Sequence, residues 1–414
     1  MLSFIHQLEK VSNIQNEDLN GQKNDVVIRC IIILLFLANP LLGLFILYVQ
    51  ILLDRKDNYF YIKLLCLFSA VFIGCINSTK IPENDLLMYE GLYDNAKDTP
   101  FLLYITMLSG GKEPLYLIIN YVLYWILNGS FSLFVLVLST IMYILLTSSV
   151  YLFGKALNLN KPVIATLIII MCFTPYIFVL SAHLLRQFFA ASILIYVLVQ
   201  WAFYKKREWL LTIGMIFIHS STVLFLPFLF FSFFQKAFSF KTIPYYIMAI
   251  IALASVQLIA QFMLDLIPSG IFKYVLTRAS KDTTFDAEVL SFSKILTTVM
   301  TAAIPLIIVY FLNKKLKENK GVILFVNLLT ILTVFILMNL HQTELSLRYN
   351  FYMWIFFPFS MAFVFKILRH YNFQCIICSG SLLLFFFYYI FNMSEWTYQV
   401  SYNIFLYPLI LYII

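Results

Sequence analysis

Apolar runs of twenty or more residues recur along this chain, and they settle what solvent it folds in. Phe131–Phe153 is one such run, without a single charged side chain. A bilayer core about 30 Å thick is crossed by about 20 apolar residues in a helix. Within lipid every backbone N–H and C=O must pair inside the protein, so only helices or closed barrels cross. The runs here are continuous rather than alternating, which excludes barrel strands. Similar runs occupy Ile31–Leu53, Tyr59–Asn77, Pro162–Ser181, Leu184–Phe203, Pro244–Ile267, Phe292–Leu312, Gly321–Leu340, Tyr349–Leu368 and Phe373–Phe391, and a shorter one closes the chain at Ser401–Ile414. Residues 1–414 therefore read as a single all-α, polytopic integral membrane domain, a bundle of roughly 10–12 transmembrane helices.

Composition narrows the function. Hydrophobic residues make up 62% of the chain and charged residues 12%, against about 45–50% and about 25% in soluble domains. The net charge of +8 would raise the question of nucleic acid in a soluble protein. Here the cations sit in short clusters between apolar runs, as membrane orientation requires, so nucleic acid is not an expected partner. Cys375 and Cys378 have CxxC spacing, but no second pair completes the roughly four ligands of a structural zinc. No phosphate-cradling glycine loop and no HExxH occurs, and no cofactor or metal is expected. The first apolar run is too long for the apolar core of a cleavable leader.

The excess of Lys and Arg on cytoplasmic loops orients the chain. Placing Lys314, Lys315, Lys317 and Lys320 inside also brings Lys366, Arg369, Lys236, Lys241, Lys205, Lys206, Arg207, Lys155 and Lys161 inside. That holds on the condition that residues 208–235 enter and leave on one side. Their centre, Ile218-His219-Ser220-Ser221-Thr222, is a polar knot in an apolar run. It reads as a re-entrant hairpin of two half-helices with His219 near the tip, or as one long tilted helix with a polar kink. Glu113–Leu127 is too short for a comfortable span, and Pro114 suits a first helical position. Laid on the membrane surface, this segment makes 78–130 an external acidic loop plus a surface helix and leaves Arg55 and Lys56 inside; made a true span, it would put that region inside and Arg55 and Lys56 outside. Further outward-facing polar regions are 268–290 and His341–Arg348.

Ionisable groups at membrane depth are costly and mark function. Arg186, in His183-Leu-Leu-Arg186-Gln187, stays charged and matches phosphate oxygens with a planar fork; its alternative is to snorkel to the outer headgroups. On a continuous helix His183, Arg186 and Gln187 share one face. His219, with Ser220 beside it, is either a site residue or a satisfied core histidine. Glu344 and Arg348 stand at i, i+4, either as a local ion pair or as part of an anion site. In Glu83–Tyr93 a helix would align Asp85, Tyr89 and Tyr93, a carboxylate with aromatic rings that suits a sugar and offers a general base; a solvated acidic loop is the plain alternative. Glu113 favours a helix start.

In order, these motifs are Asp85-x-x-x-Tyr89, Glu113-Pro-Leu-Tyr, Leu-Arg186-Gln187, Ile-His219-Ser220-Ser and Arg348-Tyr349. Their sequence and membrane placement, from about Ser78 to Tyr349, resemble the EpsG/Wzy group of bacterial polysaccharide polymerases. The resemblance implies a GT-C-like fold in the bacterial plasma membrane. It implies a glycosyltransferase that joins oligosaccharide repeat units carried on undecaprenyl diphosphate at the outer face, making capsule, O-antigen or exopolysaccharide. Chain-length regulator and flippase proteins would be its companions. On that reading Arg186 and Arg348 neutralise the leaving diphosphate, Asp85 is the first choice for the base with Glu113 or His219 behind it, and Gln187, Tyr89, Ser220 and Glu344 bind substrate. Two other functions fit the same residues: a polyprenyl-linked-sugar transferase adding a single unit, and a lipid-linked glycan flippase or transporter, which should show inverted repeats and midplane charges.

Overall fold

The computed structural model describes residues 26–54, 59–109, 113–236, 319–340, 343–367, 371–392 and 407–412, with short pieces between 262 and 307. The described residues are helical and include no strand. In chain order the helices are α1 (Val26–Ala38), α2 (Pro40–Leu53), α3 (Phe60–Ser78), α4 (Asp85–Asp94), α5 (Phe101–Ser109), α6 (Pro114–Ile126), α7 (Phe131–Ala156), α8 (Lys161–Phe173), α9 (Pro175–His183), α10 (Leu185–Tyr204), α11 (Trp209–Ile218), α12 (Leu226–Phe230), α13 (Lys320–Met338), α14 (Thr343–Ile367) and α15 (Tyr371–Asn392). Among the described residues five helices are long and apolar enough to cross a membrane, or six with the bent pair α8–α9. The protein is thus an all-α polytopic membrane protein. The expected span Pro244–Ile267 and the loop 268–290 lie almost wholly outside the described residues, as does His341, and Phe292–Leu312 is described only in part, chiefly over 295–301.

Two expected single spans are broken. Ile31–Leu53 divides into α1 and α2 at Asn39, whose side chain accepts a hydrogen bond from the Leu42 N–H at 2.9 Å. Pro40 stands at the first helical position, where its missing N–H costs nothing. Pro162–Ser181 bends by 50° between α8 and α9, because Pro175 cannot donate to the preceding turn. The helix drawn through His183 and Arg186 also breaks: Leu184 leaves helical geometry, with φ −111° and ψ 46°, so α9 ends at His183 and α10 begins at Leu185. The acidic segment after α3 holds two helices, α4 and α5. Helix α6 has 13 residues, about 20 Å at 1.5 Å per residue, too short to cross alone.

Residues 208–235 double back. Helix α11 ends at His219, which is extended at φ −156° and ψ 128°. A 3₁₀ turn over Ser220–Phe225 follows, then α12. The rings of Trp209 and Phe230, at the two ends of the segment, stand 5.7 Å apart. Helix α11 also packs on α6.

The bundle centres on α3 and α7, which pack along their length. Gly74 makes this approach possible. A Cβ there would clash with Thr140 Oγ1 and lie 2.9 Å from the Leu136 carbonyl, the close backbone contact that small residues allow between membrane helices. Deeper in, Asn77 Nδ2 donates to Ser139 Oγ at 3.2 Å and Ser181 Oγ at 3.0 Å, tying α3, α7 and α9 together. Phe153 packs against Phe203, Phe325 and Phe359, joining α7, α10, α13 and α14.

The two ends of the bundle differ in chemistry. At one end Lys161 Nζ pairs with Asp54 at 2.8 Å, Lys366 Nζ donates to the Leu157 carbonyl at 2.7 Å, and Lys155 lies 5.6 Å from the Tyr59 ring centre. The α9–α10 break lies away from that end: α10 begins where Phe188 packs on Tyr143, midway along α7, and runs back to the Leu152 carbonyl, which accepts from the Tyr204 hydroxyl at 2.9 Å. Replacing Gly74 with valine should lower stability by about 1–3 kcal/mol through overpacking. Gly91→Ala, where an added Cβ meets nothing within 4 Å, should be neutral or stabilise by up to about 1 kcal/mol. Thermal unfolding of the detergent-purified protein checks both, and equal melting temperatures would contradict the packing account.

Candidate active site

At the end of the bundle away from Lys155, Lys161 and Lys366, helix termini converge on one carboxylate. Glu113 immediately precedes Pro114 and takes a left-handed conformation, φ 50° and ψ 46°. Proline disfavours the right-handed helical region for the residue before it, and a non-glycine residue held left-handed costs on the order of 1–2 kcal/mol. This strain is held in place by the partners of the side chain. Arg186, in the first turn of α10, donates from Nη1 to Glu113 Oε2 at 2.6 Å. His219 Nε2 lies 3.5 Å from the other oxygen, Oε1. The Ser220 backbone N–H also donates to the carboxylate. The Glu113 side chain is only 14% exposed, that of His219 13% and that of Arg186 27%. Burial pushes the Glu113 carboxyl above the usual carboxylate range, opposed by Arg186 and by the nearby Arg348.

Tyrosines surround the arginine. The Arg186 guanidinium lies 5.3 Å from the Tyr89 ring centre and 5.9 Å from that of Tyr116, within cation–π range. It also hydrogen-bonds the Tyr89 hydroxyl. Burial raises the Tyr89 phenol, with Arg186 acting against it. Tyr89 and Tyr116 pack edge to face at 6.0 Å, so α4 and α6 form one wall.

The other wall comes from α14 and the turn after α11. Gln187 Nε2 donates to the Arg348 carbonyl at 2.9 Å, fixing α10 to the start of α14. His219 Nδ1 accepts from the Ser221 backbone N–H at 3.2 Å and lies 2.8 Å from Ser221 Oγ. Ser221 Oγ is 2.7 Å from the Tyr352 hydroxyl, and the Tyr349 hydroxyl donates to the Ser221 carbonyl at 3.2 Å. Tyr352 in turn hydrogen-bonds the Gln187 side chain.

Of the residues singled out from the sequence, Glu113, Arg186, Gln187, His219, Ser220, Tyr89 and Arg348 meet in this cluster. Asp85 stands apart. It opens α4 one turn before Tyr89 and is exposed to solvent. Glu344 lies in the first turn of α14, and its side chain is outside the described residues. Tyr116 and Ser221 stood within the Glu113-Pro-Leu-Tyr and Ile-His219-Ser220-Ser motifs without roles of their own, and Tyr352 was not anticipated. Tyr352 was within reach, since it follows Arg348 at i+4 and so shares its helix face.

The cluster places one carboxylate among two guanidiniums and an imidazole. Among the described side chains of the cluster Arg186 and Arg348 outnumber Glu113, and a guanidinium matches the oxygens of an anionic ligand with charge-assisted hydrogen bonds. Among the described residues no group of His, Cys, Asp and Glu is arranged to hold a metal ion.

No curated protein and no solved structure matches the chain. A family model does, over residues 63–409. That stretch takes in every member of the cluster, and the chain belongs to the EpsG family.

Proposed function

We propose that this protein is a polysaccharide polymerase that joins oligosaccharide repeat units carried on undecaprenyl diphosphate, at the outer face of the bacterial plasma membrane. Family membership supports the polymerase activity. The observation that carries the chemistry is the buried Glu113 carboxylate bound by Arg186 and lying near Arg348, at the end of the bundle opposite Lys155, Lys161 and Lys366. A glycosyl transfer from a lipid diphosphate needs a base for the attacking hydroxyl and cations for the leaving group.

The roles follow from placement. Arg186 and Arg348 receive the donor's diphosphate. The acceptor unit's hydroxyl loses its proton to Glu113 as its oxygen bonds the donor's anomeric carbon. The bond from that carbon to the phosphate oxygen breaks, and undecaprenyl diphosphate leaves with the electron pair. Glu113 suits the base better than Asp85, because burial raises its proton affinity while Asp85 sits in solvent. Asp85, exposed one turn before Tyr89 on α4, lines the approach and binds the acceptor sugar's hydroxyls, while the buried Tyr89 seats Arg186. The doubled-back segment 208–235 serves as a re-entrant hairpin that carries His219 to the site, irregular backbone at depth being tolerated where protein covers it. Apolar grooves between the helices take the polyprenyl tails.

With lipid-linked repeat units and the protein in liposomes, Glu113→Gln and Arg186→Ala should each slow polymerisation by at least about a hundredfold. Only single units should remain on a glycan gel. Asp85→Asn should instead raise KM for the acceptor with little change in kcat. An unchanged ladder in Arg186→Ala would overturn the diphosphate assignment, and addition of one unit by the wild type would reveal a single-addition transferase.

The rate should also depend on pH with a definite sign. Glu113 acts ionised, so activity falls as pH drops through its pKa, and burial places that acidic limb above the ordinary carboxylate range, about 4.3 for glutamate. A limb at or below that value would exclude Glu113 as the base.

A further inference from the structure

The base has a support that the sequence motifs do not explain. His219 reaches Glu113 through Nε2, while its Nδ1 faces Ser221. A backbone N–H can only donate, so the Ser221 N–H at 3.2 Å requires a lone pair on Nδ1. The ring proton must then lie on Nε2, pointing at Glu113 Oε1. Ser221 Oγ, 2.8 Å from the same Nδ1, is compatible with that state when its proton also points at Nδ1. Its lone pairs then accept from the Tyr352 hydroxyl at 2.7 Å. Tyr352 is fully buried and hydrogen-bonds Gln187, which α14 anchors through the Arg348 carbonyl. With the ring proton on Nε2, the donors can all run one way, from the anchored amide to the carboxylate.

We propose that Ser221 and Tyr352 are positioning residues that hold His219 as the neutral Nε2–H tautomer. One oxygen of Glu113 is thereby bound by His219 and the other by Arg186, leaving the base fixed in orientation. The assignment rests on Glu113 being the base. The physical need is general: a histidine has two nitrogens, and which one carries the proton is set by the bond the other makes. Loss of a group that fixes a catalytic tautomer can be costly even with geometry intact. The Glu113–His219 separation of 3.5 Å is at the outer limit of a hydrogen bond.

The test uses full-length protein in lipid nanodiscs, labelled with ¹⁵N-histidine, with His219 assigned by its loss in His219→Gln. Wild-type protein should show His219 protonated at Nε2 alone. Ser221→Ala removes the shorter of the two contacts to Nδ1 and leaves only the 3.2 Å backbone N–H, and Tyr352→Phe loosens the same hydroxyl, so both should show an admixture of the Nδ1–H tautomer. Their polymerisation kcat should fall on the order of ten- to a hundredfold, with KM for the lipid-linked unit unchanged. His219→Gln, whose amide nitrogen reaches the Nε2 position, should retain more activity than His219→Asn. A wild-type ring protonated at Nδ1 or doubly protonated would overturn the proposal, whatever the Ser221 and Tyr352 variants do. So would a Ser221→Ala protein with wild-type tautomer and rate, while Glu113→Gln is inactive. If Glu113→Gln makes a normal ladder, the base assignment falls and the positioning proposal falls with it.

Discussion

The Arg186–Glu113 pair closes a loop of 73 residues through the bundle. It determines where α6, α10 and the turn at His219 meet. Its energetics argue against a merely structural purpose. Two charges withdrawn from water pay a desolvation cost that their attraction only offsets when the geometry and further hydrogen bonds are good, and well-packed apolar residues often do as well. This protein has apolar residues in abundance. At this one place it keeps a carboxylate, a guanidinium, a second arginine and an imidazole together. A site that handles charge needs them there; a bundle that only has to pack does not.

The pair also explains the irregular backbone around it. Continuous helices would carry their polar groups past one another along parallel axes. Here the chain breaks wherever a side chain must be delivered: at Leu184 before Arg186, at His219 before the Ser220 turn, and at Glu113, held left-handed ahead of Pro114. Each break frees backbone groups that need partners in a dry environment. The partners are the site's own residues. The Ser220 N–H goes to Glu113, and the Ser221 N–H and carbonyl go to His219 and Tyr349. The regular helices α3, α7 and α10 supply the frame, and Gly74 and Asn77 let that frame close tightly.

Much of the architecture was legible in hydropathy, because a run such as Phe131–Phe153 has no other state open to it in lipid. Breaks were harder to read. Pro40 and Pro175 lie inside runs whose average apolarity is that of a single span, so the runs were drawn straight through them. Arg186, His219 and Arg348 stood out as charged or polar groups amid apolar neighbours. Their adjacency to Glu113 did not, since nothing in one sequence links position 113 to position 186. That is also why Asp85, in the more suggestive motif, ranked first as a base: exposure and partners are properties of the folded chain. Tyr352 and Ser221 look like ordinary helix and turn residues until their hydroxyls are seen 2.7 Å apart.

The central claim is that the Arg186–Glu113 pair is chemical machinery rather than a strut, and exchanging its charges separates the two. A protein carrying Glu113→Arg together with Arg186→Glu retains an ion pair across the same gap. It loses the guanidinium that meets the diphosphate and the carboxylate that faces His219. Glycan chain length in cells should show single repeat units only, with the exchanged protein present in the membrane and unfolding at a temperature close to wild type. A polymer ladder restored by the exchange, from two single variants that lack it, would mean that the pair holds the fold and that the chemistry resides elsewhere.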